Sequence, residues 1–354
     1  MDREIGPALR SAVDRVASSA RFVLGETVAS FERALAEHHG VSHAVGVGCG
    51  SDALLLALRT AGVGPGDVVL TSPLSFIATV EAIVRAGARV RFADVDDGGG
   101  LDVETVAEAI HRADDVAAIL PVHLYGRCAD GIVDVAEGRP VVHDAAQAVG
   151  ARVDGAALGS TGPACLSFFP SKNLGAWGDG GAVLTDDVEV ADRVRRDRAH
   201  GRAGDAFTTV GLNSRLDAIQ AAVLEVKLGY LREHDARRRR VVERYRRDLA
   251  GLETIALPPA LRDHDTPHLF TIRVVTDRDG LREHLAREGI ESRIYYARPL
   301  ADEPAIASHL VGDVALPIAR RLCGEVLSLP LHPHLTDGEV DRVIEAVRSW
   351  VSRP

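Results

Sequence analysis

VVHDAAQAVG at residues 141–150, followed after a loop by CLSFFPSKNLGAWGDGGAV at residues 165–183, is the stretch that decides the fold of this chain. The first apolar run ends in a carboxylate, Asp144, and the second ends in a hydroxyl, Ser167. Lys172 follows in a Pro-Ser-Lys-Asn turn, and several glycines come soon after it. This set of side chains suits pyridoxal phosphate (PLP). That cofactor needs a lysine for a Schiff base, an acidic partner for its pyridinium nitrogen and donors for its phosphate.

Length, charge and cysteine content narrow the class of protein. The chain has 354 residues, which suits one large domain and one smaller one, and 46% of them are hydrophobic, which is enough for a buried core. A net charge of -10 argues against nucleic acid as a partner. The sequence has no apolar leader and no uncharged apolar run of membrane-spanning length, so we expect a cytoplasmic protein with no membrane partner. The cysteines lack CxxC spacing, which predicts free thiols and no metal site; they are Cys49, Cys128, Cys165 and Cys323.

Helical and strand-like patterns alternate through the first 150 residues. Helices are predicted at 8–19, 26–39, 52–62, 76–87 and 103–110, and strands at 43–48, 68–72, 88–96, 116–123 and 140–146. This alternation predicts an α/β fold, in which a mostly parallel sheet has helices on both faces. Ligands bind such sheets at the C-terminal ends of the strands.

The second part of the chain has a different pattern. Residues 216–249 are almost continuously helical in pattern, which predicts one long helix that links the large domain to a smaller one. A strand at 267–275, a helix at 278–288, the segment 291–296 and a terminal helix at 337–350 then predict a compact α+β unit.

Each candidate residue also has a simpler interpretation. A single lysine in a glycine-rich turn is usually a surface charge. Asp144 ends a buried strand, where an unpaired carboxylate is costly, so it needs either a partner such as a pyridinium N–H or a role as a helix N-cap. Phe76 could stack on a flat ring or belong to the core. His123, His332 and His334 are not spaced like a metal site and are interpreted as loop or pocket histidines. The prediction therefore depends on the combination.

Gly50, Ser51 and Asp52 open a helix directly after a strand. Backbone N–H groups and the helix dipole at such an N-terminus favour a phosphate, and Ser51 is also expected to cap the helix. A dinucleotide, and with it a nicotinamide-dependent oxidoreductase, is the rival interpretation. It is disfavoured because Ser51 occupies the third glycine position of a GxGxxG pattern, and Thr71 and Ser72 stand where an acidic residue is expected.

Six segments together resemble the DegT/DnrJ/EryC1/StrS family of sugar aminotransferases. They are GSDALLLAL, SPLSFIATVEAI, PVHLYG, VVHDAAQAVGA, LSFFPSKNLGAWGDGGAV and GLNSRLDAIQAAVL, and the similarity returns in LSLPLHPHLTDGEVDRVI. The resemblance implies a fold-type I PLP enzyme. Residues 1–228 would form a three-layer αβα large domain with a mostly parallel mixed sheet and an N-terminal helical segment. Residues 229–354 would form a long linking helix and a smaller C-terminal α+β domain.

The resemblance also implies a role for each candidate residue, with PLP as the cofactor and pyridoxamine phosphate as its amino form. Lys172 matches the Schiff-base lysine, and its presence favours amino transfer over dehydration. Asp144 matches the partner of the pyridine nitrogen. The other matches are Gln147 beside the phenolic oxygen, Phe76 on the ring, Gly50, Ser51, Asp52 and Ser167 around the phosphate, and Asn213 on the phosphate of the neighbouring subunit. A homodimer with shared active sites is therefore implied.

The family's chemistry implies L-glutamate as the amino donor and a nucleotide-linked keto-sugar as the acceptor. PSKNLGAWGDGG resembles members that aminate 3-keto-6-deoxyhexoses, which favours a dTDP-linked 3-keto sugar in a secondary-metabolite or surface-glycan pathway over a 4-keto sugar or a keto-cyclitol. Arg127, Tyr295, Ala297 and Ala301, near the expected substrate mouth, depart from the family's pattern. A non-catalytic relative that binds PLP in a regulatory role is the remaining alternative.

Overall fold

A seven-stranded sheet forms the centre of this computed structural model, which describes residues 4–312 and 315–352. The strands are β1 (His43–Val47), β2 (Val68–Thr71), β3 (Arg89–Phe92), β4 (Val116–Leu120), β5 (His143–Asp144), β6 (Arg152–Val153), β7 (Ala156–Ala157), β8 (Ala164–Ser167), β9 (Gly181–Thr185), β10 (Arg202–Ala203), β11 (Ala206–Phe207), β12 (Ile255–Ala256), β13 (Phe270–Val274) and β14 (Val326–Leu329). The α-helices are α1 (Gly6–Ser19), α2 (Glu26–His39), α3 (Gly50–Thr60), α4 (Ala78–Arg85), α5 (Val103–Arg112), α6 (Ile132–Val135), α7 (Val188–Asp197), α8 (Ala218–Leu228), α9 (Leu231–Asp248), α10 (Arg278–Arg287), α11 (Pro317–Glu325) and α12 (Asp337–Val351). Short 3-10 helices lie at Leu124–Gly126, Leu300–Asp302 and Pro304–His309.

The strand order of the large sheet is β3-β2-β4-β5-β8-β9-β1. β2 pairs in parallel with β3 and β4, and parallel bridges from Ile119 to Val141 and from Val122 to Asp144 continue the sheet into β5. β5 is parallel to β8, whereas β9 runs antiparallel to both β8 and β1. The mostly parallel mixed sheet is therefore confirmed. Because β5 and β8 are parallel neighbours, their last residues, Asp144 and Ser167, lie at the same edge of the sheet.

Helices cover both faces of this sheet because successive strand residues point to opposite sides. In β9, Val183 packs in a core with residues of α3, α4 and α7. Its neighbours Ala182 and Leu184 pack in a second core with residues of α1, α2 and α8. Two cores separated by one sheet make the three-layer αβα architecture that the sequence predicted.

An antiparallel sheet of β12, β13 and β14 forms a further core with α9, α10 and α12. The side chain of Asp277 caps α10, and a capping box between Thr336 and Glu339 begins α12. This is the expected α+β unit; the boundary between residues 228 and 229 stays a prediction. In the part of the chain that the structure describes, no helix combines the length and hydrophobicity of a transmembrane segment.

The long helix predicted at 216–249 is wrong. The chain forms two helices, and α8 ends at Leu228 before α9 begins at Leu231. Glycine has a low helix propensity, and Gly229 stands at the break. The hydrogen bond from Tyr230 N–H to the Lys227 carbonyl at 3.0 Å is a tighter turn than an α-helical one.

One further local prediction is also wrong. Ser51 does not cap α3, because the helix already begins at Gly50 and the extended residue Cys49 occupies the N-cap position. The segment 291–296 belongs to the α+β unit and meets β14 through a bridge between Arg293 and Ser328.

Candidate active site

Asp144 is the most deeply buried charged residue of the predicted site, with 5% of its surface exposed. Thr79 Oγ1 donates a hydrogen bond to Asp144 Oδ2 at 2.7 Å, and the Ala146 N–H donates to Oδ1 at 3.2 Å. Burial raises the pKa of the Asp144 carboxyl above its ordinary value, and these two donors and nearby Lys172 oppose that shift. Asp144 is followed by turns and not by a helix, so its interpretation as an N-cap is wrong. Among the described residues, the carboxylate accepts hydrogen bonds from these two neutral donors and from no cation. It can still accept a further hydrogen bond from a cationic partner.

Lys172 lies in the turn directly after β8. Its backbone N–H donates to the Phe169 carbonyl at 2.8 Å, which closes the Pro-Ser-Lys-Asn turn. Burial lowers the pKa of the Lys172 amine, and the charge of Asp144 raises it. The amine and the Asp144 carboxylate are close enough for the charge of each to shift the pKa of the other.

The N-terminus of α3 packs directly against the end of β8. A Cβ atom added to Gly50 would lie 2.8 Å from Ser167 Cβ and 3.1 Å from Ser167 Oγ. No side chain caps this helix, so the N–H groups of its first turn, at Gly50, Ser51 and Asp52, are open to a ligand. The structure therefore brings together the four residues predicted to surround a phosphate.

Gln147 is held by an aromatic cluster on the other side of Asp144. Its Oε1 accepts a hydrogen bond from the Tyr125 N–H at 2.7 Å, and its Nε2 lies 3.4 Å from Tyr296 Oη. The Tyr125 hydroxyl in turn donates to the Tyr295 carbonyl. Burial raises the pKa of the Tyr296 hydroxyl, so it remains a neutral donor. Tyr125 was missed because nothing in its local pattern marks it as a site residue, whereas Tyr296 stands between Tyr295 and Ala297, near the expected substrate mouth.

Phe76 and Asn213 are both exposed. The Phe76 ring, just before α4, is 59% exposed, so the alternative of a core phenylalanine is wrong and the ring is available for stacking. Asn213 accepts a hydrogen bond from Arg215 Nη2 at 2.7 Å and has no hydrogen bond to another predicted site residue within residues 4–312 and 315–352. An exposed Asn213 is what a contribution to a second subunit would require.

Thr79 and Ser75 are functional residues that the sequence analysis did not identify. Both are buried, and their hydroxyl oxygens are 2.7 Å apart. Since the single hydrogen of Thr79 Oγ1 goes to Asp144, Ser75 must be the donor to Thr79. The sequence signal for this pair was the four-residue spacing of Ser75 and Thr79 at the start of a predicted helix. In a helical turn this spacing brings two side chains close together.

The histidines divide into two groups. His123 lies in the loop after β4, as expected, and is fully buried: its ring stacks on that of His143, and its Nδ1 accepts a hydrogen bond from the Ala129 N–H at 3.0 Å. His332 is exposed and lines a cavity, as expected. No group of three or more metal-ligating side chains occurs within the described ranges.

Comparison with known proteins decides the family. A match to the DegT/DnrJ/EryC1/StrS aminotransferase family spans residues 3–348. This chain belongs to that family. It is 43% identical to dTDP-3-amino-3,4,6-trideoxy-alpha-D-glucose transaminase of Streptomyces venezuelae, over 97% of this chain and 92% of the relative. It is also 39% identical to a protein of Geobacillus stearothermophilus named pleiotropic regulatory protein, over 98% of this chain and 95% of that protein.

The same relationship appears among solved structures. The structure of S. venezuelae DesV in complex with a ketimine intermediate matches with a TM-score of 0.95 at 41% identity, over 100% of this chain and 96% of that one. This family member is therefore a PLP-dependent aminotransferase of fold type I. Its residues fit that cofactor, because the buried Asp144 carboxylate lacks a bonded cation among the described residues and the uncapped N-terminus of α3 adjoins Ser167.

Proposed function

We propose that this aminotransferase moves the amino group of L-glutamate to the 3-keto carbon of a dTDP-linked deoxyhexose. It works in the cytoplasm as a homodimer with shared active sites. The observation that carries the proposal is that Asp144 and Lys172 follow two neighbouring parallel strands, β5 and β8, at one edge of the sheet. When bound there, PLP supplies an electron sink that stabilises negative charge at the carbon bearing the amino nitrogen.

Asp144 and its neighbours hold a proton in place. The ionised carboxylate keeps the ring nitrogen of the cofactor protonated, because the positive charge offsets the cost of burying Asp144. Thr79 and the Ala146 N–H fix both carboxylate oxygens. Ser75 donates a hydrogen bond to Thr79 Oγ1, whose own hydrogen is directed at Asp144, and this contact orients the Thr79 hydroxyl. These contacts maintain the charge on Asp144 that the reaction requires.

The Lys172 amine would accept the proton from the α-carbon of glutamate. A base at the α-carbon of glutamate must be neutral to accept a proton, and burial lowers the pKa of Lys172 in that direction. The turn at Phe169 holds the backbone of Lys172 close to the end of β8. The amine therefore reaches the site while its backbone stays fixed.

The phosphate end and the ring face are served by separate elements. The first-turn N–H groups of α3 and the Ser167 hydroxyl would hold the phosphate, where the helix dipole favours negative charge. The exposed Phe76 would supply a ring face for the cofactor, and Gln147 would supply an amide for its phenolic oxygen. Asn213 would contribute to the phosphate site of the partner subunit, and its exposure supports this role.

The 3-keto assignment is supported by the name of the S. venezuelae relative, a 3-amino-sugar transaminase at 43% identity. A 4-keto sugar or a keto-cyclitol is the alternative acceptor, and the departures at Arg127 and Tyr295 bear on that choice. The regulatory alternative is supported by the name of the Geobacillus relative. It would keep PLP binding and lose amino transfer.

The test uses the small number of lysines in this chain. Lys172 and Lys227 are the only two, whereas lysine and arginine together number 41. Borohydride reduction of the purified protein with PLP should attach the cofactor to the peptide that contains Lys172. Lys227 donates to the Gly175 carbonyl at 2.9 Å and is buried, so Lys227→Arg is the matched control and should retain the absorbance band of the cofactor.

Activity is then measured with glutamate and a panel of 3-keto and 4-keto dTDP-sugars, with products identified by mass and NMR. Lys172→Ala should lose the covalent absorbance band and about 10⁴-fold or more of the rate. Attachment at Lys227, or a wild-type protein that binds PLP but forms no pyridoxamine phosphate with glutamate, would contradict the proposal. The second outcome would favour the regulatory alternative.

A further inference from the structure

A cavity of about 680 Å³ opens beside the lysine-bearing turn, between that turn and the antiparallel sheet unit. Ser171 and Phe169 line it from the turn, and Ser292 and Tyr295 line it from the other side. His268, just before β13, completes this wall. The cavity therefore adjoins the residue that handles the reacting carbon.

The side-chain amide of Asn173 fixes the proton of His268. Asn173 Nδ2 lies 3.2 Å from Asp235 Oδ1 and 3.1 Å from the Pro267 carbonyl, and both of these oxygens only accept. The amide nitrogen must face them, so the amide oxygen faces His268 Nδ1 at 2.9 Å. An amide oxygen accepts and never donates, so Nδ1 carries the hydrogen. The other ring nitrogen, Nε2, is then left with a lone pair.

The surroundings also keep this ring neutral. Burial holds the pKa of His268 well below its ordinary value, and the charges of Lys172 and Arg238 lower it further. Asp235, one residue beyond the amide, pairs with Arg238 at 2.8 Å and has its own pKa raised to about 6 by burial. A neutral imidazole with its hydrogen on Nδ1 can only accept at Nε2.

Two polar atoms on the wall of this cavity have no hydrogen-bond partner among the described residues. His268 Nε2 makes no hydrogen bond within residues 4–312 and 315–352, and His268 lines the cavity with 8% of its surface exposed. Ser292 Oγ is buried and also has no partner in that part of the chain. Buried polar groups are normally satisfied, so both atoms indicate a ligand. A lone pair repels carboxylate and phosphate oxygens and matches a hydroxyl donor.

We propose that this cavity holds the sugar ring of the acceptor and that His268 Nε2 accepts a hydrogen bond from one of its hydroxyl groups. This inference rests on the proposed function. Glutamate carries carboxylates and no hydroxyl, so His268 discriminates between the two substrates and serves only the half-reaction with the sugar. Asn173 and Asp235 act through His268 as positioning residues.

The experiment separates the two half-reactions in single turnovers of the PLP-loaded enzyme. The first half-reaction is the conversion of PLP to pyridoxamine phosphate by glutamate, which is monitored by absorbance. The second is the conversion of pyridoxamine phosphate back to PLP by the keto-sugar of the panel that reacts fastest. His268→Phe keeps the ring shape and removes the acceptor, and we expect about tenfold weaker sugar binding with an unchanged glutamate half-reaction. His268→Gln places an amide oxygen near the position of Nε2 and should restore most of this loss.

His234→Phe is the matched control. His234 is buried on α9 next to Asp235, and its ring makes no hydrogen bond to Asn173 within the described ranges. We expect both half-reactions to proceed as in the wild type. Melting temperature and PLP content establish that each variant is folded and loaded.

Analogues of the sugar that lack one hydroxyl identify the donor. One of them should bind the wild type about tenfold more weakly and should lose no further affinity in His268→Phe, because the same hydrogen bond is then missing twice. Equal slowing of both half-reactions, or additive losses for every analogue, would overturn the inference. A wild type that reacts with glutamate but converts no sugar would overturn the acceptor assignment and this inference together, whereas a functional wild type with an unaffected His268→Phe would overturn only the inference.

Discussion

At the scale of single residues, the site depends on a buried carboxylate whose pKa is set by its neighbours. Burial raises the pKa of Asp144, and the hydroxyl of Thr79 lowers it. A hydrogen bond to a charged group contributes about 1.5–3 kcal/mol, and 1.36 kcal/mol corresponds to about one pH unit. Thr79 therefore contributes enough to change the pH at which Asp144 is ionised.

We predict that Thr79→Val moves the acid limb of cofactor binding to higher pH by about one unit. The functional form of Asp144 is the anion, so activity falls as the pH drops through its pKa. Removing the Thr79 hydroxyl therefore raises the pKa of Asp144 and moves the loss of activity to higher pH. The absorbance of bound PLP between pH 5 and 8 measures the shift. Thr79→Ser keeps the hydroxyl and should match the wild type; an equal shift in both variants would exclude the hydrogen bond as the cause.

At the scale of elements, the proposed phosphate site depends on the close approach of α3 to β8. The helix begins at Gly50, where the missing side chain lets its first turn lie against Ser167. This contact explains why the helix begins one residue before Ser51. A helix N-terminus held against a strand end by a glycine leaves its N–H groups free to face an anion.

We predict that Gly50→Ala weakens PLP binding by about tenfold or more and lowers the free energy of unfolding by about 1–3 kcal/mol. The new Cβ would lie 2.8 Å from Ser167 Cβ, so the helix and the strand must separate. Equilibrium dialysis with PLP and urea unfolding of the apoprotein measure the two effects.

Gly64→Ala is the matched control for this substitution. Gly64 has open space around its Cβ position and no positive φ, so alanine there should be neutral or slightly stabilising. If Gly50→Ala behaved like Gly64→Ala, the close packing of α3 on β8 would not determine cofactor binding.

At the scale of the whole molecule, the proposed dimer makes each active site depend on two chains. Lys172 is half-buried in one subunit, whereas Asn213 is exposed and its hydrogen bond is to Arg215 alone within the described ranges. If Asn213 contacts the phosphate in the partner subunit, inactive variants at these two positions should complement each other.

We predict that co-expressed Lys172→Ala and Asn213→Asp chains recover about one quarter of the wild-type sites, since random pairing makes half of the dimers mixed and each mixed dimer has one intact site. Aspartate at 213 should be inactive because its carboxylate would face a phosphate. The rate of amino transfer by the mixture, compared with each variant alone, is the measurement. No recovery in purified mixed dimers would show that each site is built from one chain.

Global stability should also fall in acid because of buried histidines. Burial lowers the pKa of His143 to about 4, while an unfolded histidine titrates near 6.5. His143 therefore binds its proton more readily in the unfolded chain, and its contribution to stability is complete above pH 6.5 and is lost as the pH falls toward 4. The loss approaches about 1.4 kcal/mol per pH unit for one histidine.

We predict that His143→Gln flattens the decrease in unfolding free energy between pH 6 and pH 5 by about 1 kcal/mol. Urea unfolding at each pH measures the slope, which is independent of any loss of stability at neutral pH. The exposed His111→Gln is the control for the loss of a histidine away from the buried pair. An unchanged slope for His143→Gln would mean that the buried pair with His123 does not cause the acid sensitivity.

The sequence by itself determined the α/β fold and the order of most elements up to β5, and it is the source of the proposed roles of Asp144, Ser167 and Lys172. Hydrophobic periodicity and strand-end positions are local signals, and both are present in the chain. The tertiary structure alone decided that Thr79 holds Asp144, that Gln147 meets Tyr125 and Tyr296, and that Asn173 fixes the proton of His268. These contacts join residues far apart in the chain, and only packing brings them together. The start of α3 at Gly50 belongs with them, because the helix packs there against Ser167, whereas Gly229 is a local signal for the break between α8 and α9.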